Sequence, residues 1–159
     1  KVQPLIGPSS ILLGLMASGL NGQGFTFNGY LPIDKKERIK KLRDLDSLVS
    51  RSGFTQIFME TPYRNQHLFD DILKSCNAKH KLCVAVDITL ETEQIKTLAV
   101  AEWKAEKIDL HKRPCMFLLG QWTILGFNLL VYKSANIQKV NITDAAIETG
   151  KVILYQSEK

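Results

Sequence analysis

The chain has 159 residues and a net charge of +5, and it is 45% hydrophobic and 23% charged. That balance excludes an intrinsically disordered chain, and the length suits one domain with a real core. The longest apolar runs, Ile11 to Leu20 and Ile124 to Tyr132, fall well short of the roughly 20 residues a membrane-spanning helix needs, so no membrane role is expected. Lys1-Val2-Gln3-Pro4-Leu5 lacks the charged head and apolar run of a secretory signal and reads as a chain entered partway through a domain. Cys76, Cys83 and Cys115 are widely spaced, and His67, His80 and His111 stand at no ligand spacing. No metal site is expected, and the thiols read as reduced, as in a cytoplasmic protein.

In chain order, Val2 to Ile6 is a short strand candidate ending at Gly7-Pro8, and Pro8 suits a first helical position. The helix over Ser9 to Leu20 is apolar on most faces and is expected to be buried, with Gly19 near its end. Phe25 to Tyr30 alternates as a strand does. Asp34-Lys35-Lys36-Glu37 is a capping box opening a helix with Ile39, Leu42, Leu45, Leu48 and Val49 on one face and Gly53 at its stop. Thr55 to Glu60 is a strand, after which Thr61-Pro62 opens a helix striped by Phe69, Ile72, Leu73 and Cys76. Lys81 to Thr89 is an apolar strand, Gln94 to Leu98 a short one, Ala99 to Glu106 a short helix and Pro114 to Leu119 a final strand. The alternation predicts an α/β fold, a mixed sheet flanked by helices. Beyond it, Ile124 to Tyr132 and Val152 to Tyr155 are apolar and Thr143 to Thr149 suits a short helix.

Three clusters offer chemistry. Gly7-Pro8-Ser9-Ser10 joins a strand to a helix start, which presents free N–H groups and a positive dipole end to a polar ligand; it also fits a plain junction capped by serine. Glu60 and Arg64, just past a strand end, stand where open α/β sheets bind ligands, and they equally fit a solvated ion pair. The carboxylates of Asp87-Ile88-Thr89-Leu90-Glu91-Thr92-Glu93 follow a buried strand as either a site or a polar loop. Lys35, Lys36, Arg38, Lys40, Lys41 and Arg43 could touch RNA phosphates, although the interspersed Asp34, Glu37, Asp44 and Asp46 favour a solvated face. No nucleophile-plus-base arrangement is legible around His67 or His111, and no catalytic residue is assigned.

The order of these pieces carries a resemblance. Pro4-Leu5-Ile6-Gly7-Pro8-Ser9-Ser10, Ala17-Ser18-Gly19-Leu20, Phe27-Asn28-Gly29-Tyr30-Leu31-Pro32, Ile57-Phe58-Met59-Glu60-Thr61-Pro62-Tyr63-Arg64, Asp87-Ile88-Thr89 with Glu93, and Lys112-Arg113-Pro114 follow one another. Together they resemble the ribosomal RNA small subunit methyltransferase I branch of the tetrapyrrole methylase superfamily. The resemblance covers residues 1–120 as a C-terminal-type methylase domain, with no counterpart of the family's N-terminal domain. It leaves 121–159 as a tail of unknown affiliation.

It implies S-adenosyl-L-methionine held between two domains of a homodimeric enzyme that methylates a cytidine ribose 2′-hydroxyl of 16S, small-subunit, ribosomal RNA. Positioning and exclusion of water supply much of such a rate, so no prominent nucleophile is required. By the same resemblance Ser9, Ser10, Met59 and Thr89 meet the cofactor, and Glu60 and Arg64 lie toward the substrate. Asp87 stands where the branch commonly has Glu, and Leu90 where it commonly has Lys. A non-catalytic α/β module for binding or assembly, or a methylase acting on a tetrapyrrole or a protein side chain, are the alternatives; the 60–64 motif argues for RNA.

Overall fold

The computed structural model describes residues 2–3 and 7–121. Residues 4–6 of the expected first strand, and every expectation placed on 122–159, lie outside the described residues. The elements run α1 (Ser10–Ser18), β1 (Phe25–Tyr30), α2 (Lys35–Ser52), β2 (Thr55–Met59), α3 (Asn65–Ser75), β3 (Lys81–Val86), β4 (Gln94–Ala99), a 3-10 turn (Glu102–Ala105) and β5 (Cys115–Gly120). They form one mixed five-stranded sheet in the order β1-β2-β5-β3-β4, flanked by helices. β1 and β2 are parallel, joined through α2, and every other pairing is antiparallel.

Local chemistry explains most of these boundaries. Asp34 Oδ1 accepts the backbone N–H groups of Lys36 and Glu37 at 2.9 and 3.0 Å, which satisfies two of the donors a helix start leaves open. Gly53 ends α2 in the left-handed region at φ 69, returning its N–H to Val49 O at 2.9 Å. Between those caps Leu42, Leu45 and Val49 are buried on the sheet. α2 and α3 cover one face, where Phe58, Val84, Phe117 and Leu119 meet Leu68, Phe69, Ile72 and Trp103. Trp103 donates its indole N–H to Leu82 O at 2.8 Å and packs edge-on against Phe69.

Several expectations need correction. α1 starts at Ser10, two residues after Pro8, and it is buried on one side only. Leu15 packs with Leu20, Ile57, Met116 and Leu118 on the second face of the sheet, whereas Leu12 and Met16 are 52% and 56% exposed. Thr61-Pro62 opens a turn rather than a helix, because Glu60 Oε1 accepts the Thr61 N–H at 2.7 Å and the Arg64 N–H returns to Thr61 O at 2.9 Å; α3 begins only at Asn65. β3 stops at Val86, where Asp87 turns the chain with φ 52. The short helix expected over Ala99 to Glu106 is a single 3-10 turn, anchored by its own buried Trp103. Arg38 points inward rather than joining the basic face: its Nε and Nη2 reach Asp71 Oδ2 at 2.9 and 2.7 Å, and its Nη1 reaches Ile33 O at 2.7 Å.

Among the described residues no helix is long and apolar enough to cross a membrane.

Candidate functional site

Because β2 and β3 both run antiparallel to the central β5, their C-terminal ends and the start of β5 share one edge of the sheet. Met59 lies opposite Met116 there, and Val86 opposite Cys115. α1 points its N-terminus at the same edge. Its last residue, Ser18, accepts the Thr97 hydroxyl at 2.8 Å, level with Cys83 in mid-sheet. Gly14 lies against Ile88 and Met116, whose side chains would stand 3.5 and 3.8 Å from a Cβ placed on it. Ser10, one turn earlier, therefore sits about 6 Å further toward the strand ends. Ser9 precedes it in extended conformation (φ -124) and makes no side-chain cap bond, so the first N–H groups of α1 are not capped by serine.

Thus Met59 and the Thr89 turn lie at this edge, and the start of α1, with Ser9 and Ser10, points toward it. Thr89 is exposed and left-handed, at φ 71. A β-branched residue adopts that conformation only under constraint, and such outliers concentrate at ligand clamps and active sites. The constraint is visible: Thr89 N–H donates to Glu93 Oε2 at 2.6 Å, Leu90 N–H to Asp87 O, and Glu93 N–H to Leu90 O.

Glu60 and Arg64 are together, but not as a solvated pair. Arg64 Nη2 meets Glu60 Oε1 at 2.6 Å while the Glu60 side chain is only 1% exposed. Among the described residues, Glu60 Oε2, Arg64 Nε and Asn65 Oδ1 are buried without hydrogen-bond partners. Buried polar atoms are rarely left so, and three within one turn mark a place where donors and acceptors remain to be matched.

Sequence reasoning gave Arg113 no role. Its Nε and Nη2 grip Asp87 Oδ2 at 2.8 and 2.7 Å, Nη2 also donates to Thr92 O at 2.8 Å, and Nη1 to Asp109 O at 3.2 Å. Its carbonyl accepts Asn65 Nδ2 at 2.7 Å, which ties the 87–93 loop to the start of α3. The Thr92 hydroxyl bond, then the Arg113 guanidinium, hold the Asp87 carboxyl below its ordinary range against the opposing effect of burial. The only sequence signal for this clasp was the Lys112-Arg113-Pro114 run before the last strand.

At the opposite end of the sheet Asp46 Oδ1, His80 and Ser50 Oγ form a hydrogen-bonded series at 2.6 and 3.2 Å. Ser50 lies in the last turn of α2, whose carbonyl end would oppose a developing oxyanion, so the series does not make a nucleophilic site. Asp46 also accepts the Asn77 N–H, which makes it a bracket between α2 and the 77–80 turn. The cysteines are free, and burial pushes the Cys76, Cys83 and Cys115 thiols each up to about 12, well away from reactive thiolates. An open depression of about 620 Å³ lined by Gln66, Phe69, Glu106, Lys107, Ile108 and Asp109 contains none of the six candidate residues.

Comparison with known proteins bears on what this edge serves. A Vibrio cholerae serotype O1 protein named ribosomal RNA small subunit methyltransferase I is 37% identical over 122 residues, covering 75% of this chain and 41% of that protein. Its namesake from Buchnera aphidicola subsp. Schizaphis graminum is 29% identical over 144 residues, covering 89% of this chain and 48% of that protein. The chain is homologous to ribosomal RNA small subunit methyltransferase I. It spans about half the length of these curated relatives. No protein-family model matches the chain. Among solved structures, the methyltransferase CobJ aligns with 72% of this chain and 48% of its own at a TM-score of 0.48 and 15% identity.

Proposed function

We propose that residues 1–120 are the C-terminal-type domain of an S-adenosyl-L-methionine-dependent methyltransferase acting on small-subunit ribosomal RNA, at a cytidine ribose 2′-hydroxyl. The observation that carries the reading is the shared edge of α1, β2 and β3, in a chain homologous to proteins named for that RNA.

The residues present fit the cofactor. The uncapped start of α1 offers N–H donors, a Cβ at Gly7 would meet nothing within 4 Å among the described residues, and Met59 is half-buried at the end of β2. The bound cofactor would supply an electrophilic methyl group. Ser9 and Ser10 would bind it through backbone donors at the positive end of the helix. The rigid Thr89 turn and Met59 would form the wall that orients it and excludes water. The Glu60–Arg64 pair, with its unmatched buried atoms, would receive the nucleotide side of the reaction. The same reading carries a homodimer in the cytoplasm.

The primary test is calorimetric titration of S-adenosylmethionine into this chain and into Ser9→Trp. Binding that is abolished by Ser9→Trp, with an unchanged circular dichroism spectrum, supports the pocket. Equal affinity in the two means the turn is structural, and binding no better than about millimolar in the wild type favours a binding or assembly module. Labelled methyl transfer to small-subunit RNA by the protein at the full length of its relatives tests the substrate, and no incorporation counts against RNA.

A further inference from the structure

The outer side of α2 presents a second surface. Of the six basic residues near its start, Arg38 is withdrawn to Asp71. Lys36, Lys40 and Arg43 are exposed and recur every three to four residues, which sets them in one stripe about 10 Å long. None of the three takes part in an ion pair among the described residues.

The carboxylates that would make this an ordinary mixed face are partly diverted. Asp34 caps the helix and Asp46 binds His80 and Asn77, leaving Glu37 and Asp44 outside.

Helix stability accounts for only part of this arrangement, through the spacing of Lys40 from Glu37 and Asp44. Lys35 and Lys36 occupy the first turn, where the macrodipole disfavours cations, and Lys36–Lys40 is a like-charge pair at the i,i+4 spacing. Glu37 is the acid that suits this first turn, and the lysines beside it add nothing to that dipole interaction. The stripe is also placed to serve the edge site. β1 ends at Tyr30, paired with Met59, and α2 starts five residues later. The basic end of α2 therefore rises from the edge that holds Glu60.

We propose that Lys36, Lys40 and Arg43 form a phosphate track for the RNA strand whose nucleotide enters the edge site. This rests on the methyltransferase reading for the identity of the strand. A row of unpaired cations complements a polyanion and releases its condensed counterions on contact. It contributes affinity and direction, while selection of the nucleotide stays with the edge.

The test is fluorescence anisotropy with a labelled single-stranded RNA of about 16 nucleotides, over a salt series, on this chain and on K36E/K40E/R43E. Glutamates near the start of a helix suit its dipole, so the variant is expected to keep its circular dichroism spectrum. With about 0.7 counterions released per phosphate contact, the log–log salt slope should fall by about 2 and affinity by at least about tenfold. A charge-matched control, K79E/K104E/K107E, should change affinity by no more than about twofold.

An equal loss in the control, an unchanged salt slope, equal competition by polyglutamate, or no RNA binding by the wild type would each overturn the track. A parallel cofactor titration separates the two readings. RNA binding that follows the stripe in a chain that binds no cofactor keeps the track and removes the edge site.

Discussion

The two faces of the sheet are built to different standards. On the α2–α3 face two helices and the 3-10 turn bury Phe58, Phe117, Trp103 and a continuous aliphatic layer. On the other face, among the described residues, a single short helix covers the strands on one side. Its Leu12 and Met16 stay exposed, as do Phe25 and Phe27, which project on the Ile57 side of edge strand β1. Among the described residues one face is a closed core and the other a partly open one. The candidate site lies where the open face meets the strand ends.

The largest expected effect tests the closed face. Trp103→Ala removes a fully buried ring, its edge contact with Phe69 and its bond to Leu82 O, and should cost about 3–5 kcal/mol in urea denaturation. A loss near that of a surface change would mean this face is not the main core.

An intermediate effect tests the clasp at the edge. The folded Asp87 carboxyl is held below its ordinary value of 3.8 by the Thr92 hydroxyl and the Arg113 guanidinium. Its contribution is therefore fully present above 3.8 and lost as pH falls through the depressed folded value. Asp87→Asn should lower stability at neutral pH, and the gap from wild type should narrow in acid below 3.8. A gap that does not change with pH would show that the Arg113 clasp works by shape alone.

The smallest effect concerns the open face. Leu12→Gln with Met16→Gln should shift stability by no more than about 0.5 kcal/mol each, because the side chains gain little burial. A loss of several times that would mean α1 is covered in solution.

What the sequence revealed divides along the same line. α2 was legible end to end because Asp34, the leucine stripe and Gly53 all act within a few residues of one another. The strands were legible too, though their ends were not. β3 was carried to Thr89 because apolar composition continues past Val86, while the turn at Asp87 is imposed by Arg113 from 26 positions away. α1 was misjudged for a related reason: composition shows how apolar a helix is, and only the neighbouring strands decide which side is covered. Similarly, the spacing of Glu60 and Arg64 announced their pairing but not their burial. That depends on the turn that Glu60 itself makes with Thr61.

The strand at the centre of the sheet, β5, is the last of the five in the chain. Without it, β1–β2 and β3–β4 share no strand pairing, and each pair keeps a bare hydrogen-bonding edge on its inner side. A nascent chain halted before Cys115 would carry both ribbons and no keystone, exposing sticky edges to its neighbours. Cys115–Gly120 alone pairs with both β2 and β3, so one segment closes both edges.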